Sequence, residues 1–177
     1  MEEKETNIYE IKKAQIKESL CLISYELLSD PIRGDIIKHK GVHYVHIDLE
    51  EAFKRLNVFL AHIDEAYKVF STNKTTITEL ENKEQTEKYT VVGFSITGKE
   101  ESRSVILTGV KEVEYGYIKF DTPKIMLEGG NYLYLEEISE RINDAINEVI
   151  AYLGGKKAPE PVQSSIDFDE MDLDVFK

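Results

Sequence analysis

Tyr115, Tyr117 and Lys119 stand two residues apart, the spacing that puts alternate side chains of an extended strand on one face. Two flat rings and an ammonium on one face suit a single strand of nucleic acid. Every base has a π-face to stack, and every linkage has a phosphate to neutralise. Gly116, Ile118 and Phe120 take the other face, which reads as the core side. On the preceding strand Arg103 and Lys111 share one parity and are expected to add phosphate contacts. The first half of the chain offers Lys38, Lys40 and Tyr44. There Tyr44 and His46 alternate with Val45 and Ile47 and are expected to point away from the core. The same patterns also fit ordinary half-exposed strands in which tyrosines pair across a sheet.

Other chemistry has less to work with. His39, His43 and His46 crowd together with Asp48 just beyond, but His43 and His46 have opposite strand parity, so their rings do not converge on one ion. No metal site is expected. Cys21 sits in an apolar stretch and reads as inert packing. The chain has no P-loop, GxGxxG, GxSxG or HExxH motif, so neither an enzyme activity nor a cofactor is expected.

The elements that must position these residues follow from periodicity. Leu49, Ala52, Phe53, Leu56, Phe59, Leu60, Ile63, Ala66, Tyr67 and Phe70 keep the spacing of one helical face, with Asp48 as N-cap and Glu51 completing a capping box. Leu135, Ile138, Ile142, Ala145, Ile146, Val149, Ile150 and Leu153 do the same, and Gly154-Gly155 stops them. Two long amphipathic helices are therefore predicted, over 49–70 and 135–153. Runs rich in Ile, Val, Tyr and Thr precede each: 8–16, 20–28, 34–39 and 42–47, then 88–97, 103–113, 115–120 and 124–134. Asp30-Pro31, Lys40-Gly41, Gly98-Lys99-Glu100-Glu101 and Gly129-Gly130 read as turns between strands. The polar stretch 71–87 reads as a linker. The order is four strands then a helix, twice, and Leu49-Glu50-Glu51-x-x-x-Arg55-Leu56 returns as Leu135-Glu136-Glu137-x-x-x-Arg141-Ile142. Each half alone leaves a sheet face and a helix stripe uncovered, so the halves are expected to pack together as one α+β domain.

The chain has 177 residues, of which 41% are hydrophobic, enough for one core of ordinary size. Lys and Arg number 22 against 34 Asp and Glu, a formal charge of -12. That excludes a generally basic nucleic-acid binder but leaves room for a local basic face. Residues 158–177 hold six acids against Lys177 alone, a net charge of -5, and the rest of the chain carries -7. No apolar run approaches the roughly 20 residues of a membrane span. The opening MEEKETNIYE is acidic where a secretion signal opens basic. With a single cysteine, these features make a cytoplasmic protein without membrane contact the expectation.

The tandem order of elements resembles the whirly and PUR families of single-stranded nucleic-acid-binding proteins. Locally, Tyr132-Leu133-Tyr134-Leu135 running into a long apolar helix that ends Tyr152-Leu153-Gly154-Gly155 is similar to the close of a whirly domain. The nearest counterpart of the whirly Lys-Gly-Lys-Gly-Ala-Leu-like motif is Lys38-His39-Lys40-Gly41-Val42. The resemblance implies one domain over 8–155, with two ββββα repeats (halves 8–70 and 88–155), antiparallel sheets and an oligomer, often a tetramer. It also implies single strands lying along the sheet faces.

Residues 156–177 read as a flexible acidic tail, in which a spacer at 158–165 is followed by acids alternating with apolar groups: Ile166-Asp167-Phe168-Asp169-Glu170-Met171-Asp172-Leu173-Asp174-Val175-Phe176. This is similar to the acidic tails of bacterial and phage single-stranded DNA-binding proteins, although Lys177 follows the aromatic residue at which those tails stop. The likeness implies that Phe168, Asp169, Glu170, Asp172, Asp174 and Phe176 recruit replication or repair proteins, or compete with DNA for the protein's own groove. The function expected from the sequence is thus sequence-independent binding of single-stranded DNA, with RNA accepted by the same surface. The rival expectation is a protein-interaction or phage structural subunit that uses the fold without nucleic acid.

Overall fold

The computed structural model describes residues 8–28, 35–64 and 75–159. β1 (Tyr9–Lys17) and β2 (Leu20–Leu27) form an antiparallel hairpin. Its turn residues Glu18 and Ser19 both lie in the left-handed region, at φ 52° and 60°, the geometry whose twist matches the flanking strands. β3 (Ile37–Tyr44) adds to β2. β4 (Tyr89–Thr97), β5 (Ser104–Val113) and β6 (Gly116–Asp121) form a second meander, and β7 (Ile125–Met126) pairs with the start of β5. β1 pairs antiparallel with β4 and joins everything into one seven-stranded sheet, ordered β3-β2-β1-β4-β5-β6 with β7 beside β5.

β1 and β4 each carry one extra residue, Lys12 and Val92, at a shift of register. Such a bulge flips the side-chain phase of the strand. Ile11 and Ala14 consequently face one side together, as do Val91 and Phe94, and all four are buried. The helices pack on that side: α1 (Ile47–Lys54), α2 (Asn57–Ile63) and α5 (Leu135–Leu153) directly, with α3 (Ile77–Glu81) and α4 (Glu84–Glu87) beside α2. Phe53 of α1 rests on Phe94 with ring centroids 5.5 Å apart. α5 buries Ile138, Ile142, Ala145, Ile146, Val149 and Tyr152. Each large apolar side chain so covered contributes about 1.5–3 kcal/mol relative to exposure.

Several sequence expectations are corrected here. The first half has three strands rather than four, because β3 runs straight through Lys40-Gly41. Gly41 serves closeness and not a turn: a Cβ there would lie 1.9 Å from the Tyr152 hydroxyl. The helix expected from Leu49 starts at Ile47, and its N-cap is His46, whose Nδ1 accepts from the Asp48 amide at 3.3 Å. It then breaks into α1 and α2. Arg141 donates to the freed Arg55 carbonyl at 2.8 Å, and the Asn57 side chain accepts from the Val91 amide at 2.8 Å, beside the β4 bulge. The supposed linker carries α3 and α4, and α3 has a full capping box between Thr76 and Glu79. Of the strand expected over 124–134 only β7 forms, while Tyr132 and Tyr134 pack edge-on around His62. One long helix, α5, matches expectation among the described residues. Asp30-Pro31, the end of the first predicted helix at 65–70, residues 1–7, expected as an N-terminal extension, and residues 160–177 of the acidic tail expected over 156–177 lie outside the described residues.

Candidate nucleic-acid interface

The register carries the parity of each strand across the whole sheet. On the face away from the helices one row reads Lys40, Leu22, Gln15, Gly93, Thr108 and Asp121 from β3 to β6. The next row reads Lys38, Ser24, Lys13, Ser95 and Ile106. On the opposite flank Tyr44 pairs with Leu20 and Leu20 with Lys17, and Thr90, Val110 and Lys119 continue on the second half. Lys13, Lys17, Lys38, Lys40 and Tyr44 thus form one exposed patch over β1, β2 and β3. None of these four lysines, nor Lys119, forms an ion pair with a described residue. Lys12 differs, being held by Glu10 and, at 3.5 Å, by the buried Glu26.

Tyr117 and Lys119 share this face but stand on β6, five strand spacings or about 24 Å from β3. Tyr44 is 61% exposed and Tyr117 74%, so both rings are free to stack. Between them Leu20, Leu22, Ile106 and Val110, with Ser24, Ser95 and Thr108, make a half-buried floor. The side bearing the helices has the opposite electrostatic character. It carries Glu50 and Glu51 on α1, Glu79 and Glu81 on α3, Glu84 and Glu87 on α4, and Glu136, Glu140, Asp144 and Glu148 on α5. The acids of the helices thus lie on the side away from the basic patch, while Glu112 and Asp121 stand on the open face at its β5–β6 end.

Three of the sequence-predicted site residues, Lys111, Arg103 and Tyr115, do not join the patch as expected, and two residues read as core are exposed. Lys111 pairs with Tyr89 across β4 and faces the helices, the opposite parity from Tyr117. Its Nζ donates to Asp64 at 2.7 Å and lies 5.2 Å from the centre of the Tyr89 ring. The hydrogen bond to Asp64 holds the Lys111 ammonium above its usual range. Burial by itself would raise Asp64, but hydrogen bonds from Lys111 and Tyr89 hold its carboxyl below the usual value. Arg103 precedes β5 and donates to Asn143 on α5 at 3.1 Å. Tyr115 lies in the β5–β6 turn, 92% exposed, and its hydroxyl donates to Glu114 at 2.9 Å. Ile118, read as core, is 54% exposed, and Ile47 is 56% exposed at the start of α1.

Lys38, Lys40, Tyr44, Tyr117 and Lys119 lie on the shared face; alternation implied this for Tyr44, Tyr117 and Lys119, whereas Lys40 read as part of a turn. Lys13 and Lys17 were missed. Four residues apart, they share one strand parity with Gln15, and that was their signal; the bulge at Lys12 obscures only the apolar side, where Ile11 and Ala14 do not alternate. The histidines do other work: His46 caps α1, His39 approaches Tyr152 at 6.3 Å, and the His43 carbonyl accepts from the Tyr152 hydroxyl at 2.9 Å. Among the described residues no three His, Cys, Asp or Glu side chains come together to hold a metal. Burial pushes the Cys21 thiol up to about 12 against the opposing influence of Lys157, so it is no nucleophile. Phe168, Asp169, Glu170, Asp172, Asp174 and Phe176 lie outside the described residues.

A groove of about 910 Å³ opens where β1 and β4 part beyond their three paired residues. Ile16, Phe53, Val58, Tyr89 and Val91 line it, and its charged residues mix Glu50, Glu51, Glu81 and Glu87 with Lys54 and Arg55. No helix of the described residues is long and apolar enough to cross a membrane. No protein-family model matches the chain, and neither does any curated protein or solved structure.

Proposed function

We propose that the protein binds single-stranded DNA, without sequence preference, on the helix-free face of its sheet. The observation that carries this reading is the patch of Lys13, Lys17, Lys38 and Lys40, four exposed cations with no ion-pair partner among the described residues. In a chain with 34 acids, leaving these cations together and unpaired fits an anion from outside. Lys38 and Lys40 from β3, with Lys13 and Lys17 from β1, track the phosphates. Tyr44 at one edge and Tyr117 at the other stack bases, and Lys119 extends the track. The protein acts by binding and not by catalysis. The two meanders either side of the β1–β4 pairing are then the two units of a whirly-like repeat. The acidic tail recruits replication or repair proteins in the cytoplasm, or lies on the lysines when DNA is absent.

Fluorescence anisotropy with a labelled single-stranded oligonucleotide and its duplex, at several salt concentrations, tests the reading. The expected outcome is preference for the single strand, with log affinity falling against log salt by about 0.7 per phosphate contact. A second reading, a protein-binding face, is favoured by the floor of Leu20, Leu22, Ile106 and Val110, which holds aliphatic and hydroxyl groups where a stacking platform would hold rings. Absence of binding at low salt would retire the first reading in favour of the second.

A further inference from the structure

Both edge strands, β3 and β6, have outer sides along which no described strand runs, and they differ at the end of β3. The end of β3 is covered, because the Ala158 amide donates to the Tyr44 carbonyl at 3.0 Å and Val45 bridges to Lys157. β6 is the last strand of the order, and no described residue pairs with its outer side. The Thr122 amide donates inward to the Leu107 carbonyl at 2.8 Å. By strand alternation Gly116, Ile118 and Phe120 also turn their main-chain groups toward β5, and Tyr117 and Lys119 turn theirs outward. An unprotected edge of this kind is a template for another strand. This one also carries Tyr115, Tyr117 and Ile118, three large side chains that are 92%, 74% and 54% exposed.

We propose that β6 pairs antiparallel with β6 of a second copy, about a two-fold axis at Ile118. The choice of occupant and register rests on complementarity. An axis at Ile118 sets Tyr117 opposite Lys119 of the second copy, so the outward main-chain groups meet each other and each ammonium meets a ring. On the helix side Ile118 meets its own copy, and Phe120 covers Gly116, whose missing side chain leaves room for a ring. Moving the axis one step to Lys119 would set like charges directly opposite, which is unfavourable in a sheet. Moving it to Tyr117 would leave Ile118 against Gly116. The pairing joins two helix-free faces edge to edge, with Tyr117 and Lys119 at the centre of a doubled surface. The interface itself does not depend on nucleic-acid binding, because Ile118 lies on the other side of the sheet from the lysine patch.

Sedimentation velocity of the full chain tests this, with circular dichroism to verify folding. The wild type is expected as a dimer of the 20.4 kDa chain or an even multiple of it. Ile118→Lys and Ile118→Glu should each halve that mass while keeping the wild-type spectrum. An equimolar mixture of the two should restore it, since residue 118 faces residue 118. A milder variant guards against misfolding: Ile118→Cys, oxidised with copper phenanthroline, should form a disulfide dimer, because opposed residues at a non-hydrogen-bonded position lie within bridging distance. Ile36→Cys, at the other edge, should not. A monomeric wild type, an Ile118→Lys variant of unchanged mass, or no cross-link at residue 118 would each overturn the proposal. Single-strand affinity per chain that survives loss of the dimer would separate this interface from the binding face.

Discussion

Ile106 and Leu107 are neighbours on β5 and live under different rules. Leu107 points into the layer beneath the helices and is fully buried, whereas Ile106 lies half-buried on the open face between Ser95 and the end of β6. The cations divide the same way. On the helix side Lys111 is held by Asp64, Arg55 by Asp144 at 3.0 Å, Arg141 by Glu81, and Lys156 by Asp48 and Glu148. On the open face Lys13, Lys17, Lys38, Lys40 and Lys119 have no such partners among the described residues. The helix side carries ion pairs that tie one element to another, whereas these five lysines of the open face take part in none.

The sharpest way to break this comparison is to truncate the two neighbours in turn. Leu107→Ala should cost about 2–5 kcal/mol in urea unfolding, as buried aliphatic truncations do. Ile106→Ala should cost about 1 kcal/mol or less, since one of its sides already meets solvent. Equal losses would mean that the open face is covered in solution. Next in size is the effect on binding. Replacing Lys13, Lys17, Lys38 and Lys40 with Ala should reduce the slope of log affinity against log salt by about 2.8, at about 0.7 per lysine. Lys111→Ala should leave that slope unchanged. Anisotropy titrations at several salt concentrations measure both.

Smaller effects sharpen the picture. Tyr44→Ala and Tyr117→Ala should each weaken single-strand binding by about 1–3 kcal/mol, the usual worth of one stacked base, without lowering the melting temperature. Loss at one edge only would show that a strand does not span the sheet. The smallest expected effect lies on the helix side. His62 is half-buried, its Nδ1 lies 3.1 Å from the Tyr132 hydroxyl, and burial lowers its pKa below the usual value. The unfolded chain then binds the proton more readily than the folded one. Stability is therefore full above the unfolded value of about 6.5 and declines as the pH falls below it. Thermal melts should show this decline between about pH 7.5 and 5.5, and His62→Gln should flatten it, with single-strand binding at about pH 7.5 unchanged.

Particular residues show how far the sequence could be read. The alternation Tyr117, Ile118, Lys119 gave the right faces, because β6 contains no bulge. The stripe from Ile138 to Tyr152 gave α5, because nothing interrupts its period. The same reasoning failed for Lys111 and Arg103: they share one parity, but β5 begins after Arg103 and the pairing of Lys111 with Ile118 turns that parity toward the helices. It failed at Gly41, where a glycine that admits Tyr152 looks like a glycine that makes a turn. It failed again at Leu56, because the periodic stripe continues through a break that only Arg141 and Asn57 stabilise from elsewhere in the fold.

The sequence by itself determined an α+β protein of alternating strands and a long amphipathic helix, an acidic balance, and that Tyr44, Tyr117 and Lys119 turn outward. These follow from periods of two and of 3.6 residues, which are local properties of the chain. The tertiary structure alone decided that the strands form one sheet with β1 and β4 at its centre and that Lys13 and Lys17 join Lys38 and Lys40. It also decided that Arg103 and Lys111 do not. Those outcomes depend on two bulges and on cross-strand register, which are set by how distant segments pack and leave no period in the sequence.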